Sequence, residues 1–91
     1  MTISGDRGSV LARTVVVTDD ELSVGLADGR TITVPLVWFP RLLNATAGAR
    51  GHWELLGNGE GIHWPDIDED LSVAGLLLGS RAPGATDRGA A

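Results

Sequence analysis

The residues best suited to chemistry lie between Gly57 and Asp70, in the run GNGEGIHWPDIDED. It holds one histidine, His63, one tryptophan, Trp64, and the carboxylates Glu60, Asp66, Asp68, Glu69 and Asp70. Asp66, Asp68 and Asp70 alternate like the opening of a calcium loop, which also needs glycine at its sixth position and glutamate at its twelfth. Counted from Asp66, those places hold Leu71 and Leu77. A looser cation site would require the acids to converge in a bent loop. Zinc is no better served: His52 and His63 stand eleven residues apart, with no paired-histidine motif and no cysteine. Paired carboxylates do acid–base work where their surroundings split their affinities for protons, yet these sit in a polar run with no sign of a large cleft. No G-x-S-x-G surrounds a serine, and GNGEG does not continue into the Gly-Lys-Ser/Thr of a phosphate loop. No catalytic residue, metal ligand set or cofactor is therefore assigned, and a non-enzymatic role is the expectation.

A plainer role suits the same acids. Carboxylates just ahead of a helix meet its unpaired N–H groups and the positive end of its dipole. Asp68, Glu69 and Asp70 would do so if a helix starts near Ser72. His63 would then pair with one of these carboxylates or a carbonyl, and Trp64-Pro65 would form a lid on the core. Three tryptophans, at 38, 53 and 64, are many for so short a chain. Aromatics beside an acidic rim match the make-up of a protein-binding patch, whose candidates are Trp53, His63, Trp64, Asp66, Asp68, Glu69 and Asp70.

Charge narrows the choice of partner. Twelve acids against seven arginines, with no lysine, give a net charge of −5. The arginines are scattered along the chain, whereas nucleic-acid binding draws on clustered positive charge. A nucleic-acid-associated regulator would need Arg13, Arg30, Arg41 and Arg50 on one face, and is not favoured. A basic protein partner fits the charge better. No segment approaches 18 consecutive apolar residues and the N-terminus lacks a signal-peptide run, so a cytoplasmic protein without membrane contact is expected.

The elements that must hold these residues follow from periodicity. Residues 13–39 alternate apolar and polar in three short runs, carried by Val15 and Val17, then Leu22, Val24 and Leu26, then Ile32, Val34 and Leu36. Turns fall at TDDE and at ADGR, where Asp28-Gly29 carries the stronger hairpin signal. Three antiparallel strands with one apolar face need a cover. Pro40 begins a helical turn, Thr46 caps a second short helix weakened by Gly48 and Gly51, and Ser72 caps a third that closes near Gly79. In that last helix Leu71, Leu76 and Leu77 are expected to face the core, and Gly75 to mark a close approach. A further short strand pair is expected near residues 53–64. The predicted architecture is α+β, a three-stranded meander packed with two or three short helices. It is organised as a single domain over residues 12–79, with flexible tails at 1–11 and 80–91.

The segments LADGRTITVPL, WFPRLLNAT and WELLGNGEGIHWPDIDEDLSVAGLLLG, in this order and spacing, closely resemble the small bacterial family of unknown function numbered 2442. The likeness covers about residues 14–79. Ala74 departs from it, where glutamate is usual, as does Gly48-Ala49, where relatives carry a more helix-forming, acidic pair. The resemblance implies a compact α+β fold but carries no catalytic residues. It also implies a context: some relatives are encoded beside small proteins of another uncharacterised family, in the manner of toxin–antitoxin pairs. The expectation is a protein-interaction domain, the acidic antitoxin-like half of a small pair, bound to a small protein encoded by a neighbouring gene. A small-ligand or metal module on the His63–Asp70 loop is the alternative. Self-association into a homodimer through an open sheet edge is a further expectation.

Overall fold

The computed structural model describes residues 10–82. The alternating runs form β1 (Ala12–Val17), β2 (Glu21–Leu26) and β3 (Thr31–Pro35), an antiparallel sheet in that order. Val15 lies opposite Val24, and Leu22 opposite Val34, so one face of the sheet is apolar and turned to the core. Ala12 and Val15 are both buried although three residues apart. A register shift between Ala12 and Thr14 reconciles them, since an extra residue lets the strand resume its inward face. Gly29 takes the positive φ of 96° that the second hairpin requires.

A 3-10 turn over Leu36–Trp38 leads into α1 (Pro40–Leu43), with Pro40 at its first position, and then α2 (Ala47–Gly51). The hydroxyl of Thr46 accepts from the N–H of Ala49 at 3.1 Å and starts α2, which stops at Gly51. The chain then builds a second antiparallel sheet from β4 (Glu54–Leu56), β5 (Gly61–Trp64) and β6 (Glu69–Ser72). The expected strand pair near 53–64 is β4 and β5. The third strand, β6, replaces the helix entry expected for Asp68–Asp70. Asp70 pairs in register with His63 and Glu69 with Trp64, and the first turn of the following helix holds no acid. The helix-dipole account of these carboxylates is therefore corrected. They belong to an edge strand and to the turn before it.

The closing helix, α3 (Val73–Leu78), is capped by Ser72, whose hydroxyl accepts from the N–H of Gly75 at 2.9 Å. Val73 and Leu76 enter the core and Leu71 is half-buried, but Leu77 is exposed, contrary to expectation. Leu77 lies about 100° around the helix from Leu76, and with Val73 and Leu76 set toward the core it falls outside the buried stripe. The core joins both sheets and two helices, with Leu22, Leu36, Leu42, Ile62 and Trp64 fully buried. Val10 and Ala82 pack against it, and the N–H of Ala82 donates to the carbonyl of Trp38 at 3.1 Å. The remainder of the two expected tails, 1–9 and 83–91, lies outside the described residues.

Candidate functional site

His63 sits at the centre of the second sheet, with Glu54 of β4 on one side and Asp70 of β6 on the other in the same cross-strand row. Its Nδ1 bonds Asp70 Oδ1, and that bond, outweighing partial burial, raises the imidazole pKa above its ordinary value. The charges of Glu54 and Asp68 act in the same direction. Successive strand residues point to opposite faces, so Ile62 and Trp64 go inward while His63 stays half-buried on the outer side.

Trp64 does not belong to any surface patch. It is fully buried, and its indole Nε1 donates to the carbonyl of Arg50 at 3.0 Å. Trp53 is half-buried against the core. Asp66, in the turn between β5 and β6, lies 3.2 Å from Nδ1 of His52, and both side chains are about half exposed. Asp68 takes a positive φ of 54°, and its carbonyl accepts from Arg41 Nη1 at 2.8 Å. His63, Asp66 and Asp68 therefore do not converge: the first two turn to different partners. Among the described residues no three His, Asp or Glu side chains gather as a metal site would require.

The arginines act as internal staples. Arg50 donates from Nε to the carbonyl of Leu42 and from Nη2 to that of Leu43, at 3.0 and 2.8 Å, and pairs with Asp19 at 2.7 Å. Arg30 pairs with Asp28, whose carboxyl also accepts the backbone N–H of Arg30. That backbone bond is the main reason its pKa is lowered. Arg41 holds the turn before β6. Three of the four arginines considered for nucleic acid are thus tied to carbonyls or acids of their own chain.

Glu69 is the least comfortable of the acids. Burial raises its pKa, against the opposing pull of Arg41. It lines two adjoining hollows of about 260 Å³ each. The first is lined by β6, Phe39, α3 and the segment from Ser80 to Ala82. Beside it, α3 leaves Leu77 44% and Leu78 83% exposed. Sequence reasoning missed the roles of Arg41, Arg50 and His52, which depend on contacts 7 to 31 residues distant. Leu78 carried a signal, because three consecutive helical leucines force one outward.

Residues 12–82 match the family described as Protein of unknown function (DUF2442). The chain belongs to that family. A solved DUF2442-like fold is seen in a protein of unknown function from Rhodospirillum rubrum, 28% identical, with a TM-score of 0.70 over 82% of this chain and 93% of that one. An uncharacterised protein from Chromobacterium violaceum, solved by solution NMR, shares the fold with a TM-score of 0.68 and 24% identity, over 81% of this chain and 70% of that one. No curated protein matches this DUF2442 chain.

Proposed function

We propose that this DUF2442 chain is a non-enzymatic protein-interaction domain, the acidic half of a small pair, and that its docking face is the outer side of α3 beside β6. The observation that carries the reading is the exposure of Leu77 and Leu78 on α3, a helix in contact with β6, the strand that carries Glu69 and Asp70. An apolar centre with a charged rim is the usual anatomy of such a face. The net charge of −5 favours a basic partner. The patch read from the sequence shifts accordingly: Glu69 and Asp70 remain in it, Leu77 and Leu78 enter, and Trp64 leaves for the core.

The test is co-expression of the full chain with the protein encoded beside it, followed by co-purification. The wild type should retain the partner stoichiometrically. Leu78→Asp should lose it while melting at the wild-type temperature, since Leu78 is almost wholly in solvent. Recovery of the wild-type chain alone, or full retention by Leu78→Asp, would overturn the reading. Trp64 variants are unsuitable, because they would unfold the domain and so abolish binding for the wrong reason.

A further inference from the structure

We propose that Asn58 is a site of spontaneous modification, closing onto the nitrogen of Gly59 as a succinimide, and that its isoaspartyl product loosens the joint between the two sheets. This site is independent of the docking face. Asparagine is a chemically labile residue. Its side-chain Cγ lies within reach of the next residue's backbone nitrogen, and a side chain on that residue hinders the attack. Glycine has none, and its backbone turns freely enough to complete the ring. Of the two asparagines, Asn44 precedes Ala45 and Asn58 precedes Gly59. The fold itself demands that glycine. The N–H of Ala12 in β1 donates to the Gly59 carbonyl at 2.7 Å, which ties the first sheet to the second. Gly59 has a φ of 112°, and a Cβ there would strike the carbonyl oxygen of Ala12. The residue that lets the sheets meet is thus the one that opens Asn58 to attack.

Local contacts separate the candidates. Nδ2 of Asn44 donates to the carbonyl of Pro40 at 3.0 Å, which holds that side chain still. Asn58 is exposed in the turn between β4 and β5, and its side chain bonds none of the described residues. Its chain neighbours, Gly57 and Gly59, add no side chain beside it. The N–H of Gly59 donates to the carbonyl of Leu56 at 3.1 Å, an acceptor it shares with the N–H of Glu60. That bond closes the turn alone, and local opening frees the nitrogen without unfolding either sheet. Asp28-Gly29 could form the same ring. Its carboxyl, however, accepts from the N–H and Nε of Arg30 at 3.0 and 2.8 Å, and a carboxylate held ionised is a poor electrophile.

The reaction needs only water. The Gly59 nitrogen gives up its proton to solvent and bonds to Cγ of Asn58, while Nδ2 takes up a proton and leaves as ammonia. Water then opens the cyclic imide. Attack at Cγ breaks the new C–N bond and yields aspartate. Attack at the backbone carbonyl carbon breaks the original peptide bond and leaves the chain running through Cγ, as isoaspartate. Either product adds a negative charge, but only isoaspartate adds a carbon to the main chain. The turn is closed at Leu56 and tied at Ala12, so the added length should pull the Gly59 carbonyl off the Ala12 N–H.

The experiment ages the full chain in water enriched in heavy oxygen, at neutral to mildly alkaline pH, and maps the label by peptide mass. Residue 58 should take up label as both products, faster as pH rises, while Asn44 and Asp28 stay unlabelled. Asn58→Gln should abolish the labelling. No label at residue 58, or equal label at Asn44, would overturn the site. So would label at residue 58 that appears only in chain unfolded by urea. The isoaspartyl form, recognised by methylation with protein isoaspartyl methyltransferase and separated by chromatography, should lose hydrogen-exchange protection at the Ala12 amide. Asn58→Asp, which adds the charge alone, should keep that protection. Equal protection in the two would overturn the loosened joint.

Discussion

His63 and Asp70 face each other across β5 and β6, and the bond between them stabilises the imidazolium and so raises the pKa of the ring. A histidine whose folded pKa is raised adds stability that is fully present below its unfolded value, near 6.5, and lost as pH rises through the folded value. The contribution also requires Asp70 to be ionised, so it belongs to mildly acidic solution. Glu69 acts with the same sign: a carboxyl raised by burial favours the protonated fold, and its contribution declines as pH rises through the interval above its ordinary value. Asp70→Asn should therefore lower the His63 titration midpoint, read from the ring protons by NMR. It should also flatten the fall in stability between mildly acid and neutral pH. The fall in midpoint should be partial, because the charges of Glu54 and Asp68 also raise the pKa of the ring. An unchanged midpoint would show that the Asp70 bond does not govern the histidine. Residue types alone offered His63 a nearby carboxylate or a carbonyl, but not which one. His63 and Asp70 stand seven apart, and only the register of two strands makes them partners.

At the scale of elements, the start of α3 offers a sharper test. Glycine inside a helix costs about 1 kcal/mol relative to alanine, so Gly75→Ala would ordinarily stabilise. Here the added Cβ would stand 2.8 Å from the Ser72 hydroxyl, which caps the same helix. Gly75→Ala alone should destabilise, by displacing a cap worth about 1 kcal/mol. In a Ser72→Ala background, where the hydroxyl is gone, the same substitution should stabilise by several tenths of a kcal/mol or more. A double-mutant cycle by urea unfolding reads the change of sign, and additive effects would sink the argument. The cap itself was visible in the sequence, as were the meander and its Asp28-Gly29 hairpin, since each rests on local chemistry or a two-residue period. The strand β6 was not. Its residues, Glu69–Ser72, include two acids of low strand propensity and a good helix cap, so local preference favours a helix entry. Pairing with β5 overrides that preference by placing Leu71 opposite Ile62 over the core.

The whole molecule depends on how its two three-stranded sheets meet, because a sheet this small is marginal alone. One junction is backbone to backbone. The N–H of Ala12, at the start of β1, donates to the carbonyl of Gly59 at 2.7 Å, in the turn between β4 and β5. Gly59 has a φ of 112°, which other residues rarely adopt, and a Cβ there would strike the Ala12 carbonyl oxygen. A second junction runs from the indole of Trp64 in β5 to the carbonyl of Arg50, whose guanidinium reaches Asp19 in the turn between β1 and β2. Both joints lock the sheets over a shared core, so they should unfold as one unit. Gly59→Ala combines backbone strain with a clash at the first joint and should cost about 1–3 kcal/mol. Native-state hydrogen exchange is the informative readout. If the sheets form one cooperative unit, amides of β2 and of β5 should lose protection by the same amount in the variant. A loss confined to β4–β6, with β1–β3 unchanged, would mean that the meander stands without its neighbour. The docking face on β6 and α3 would then rest on a separately folding half, and partner binding should weaken in Gly59→Ala in step with the lost protection.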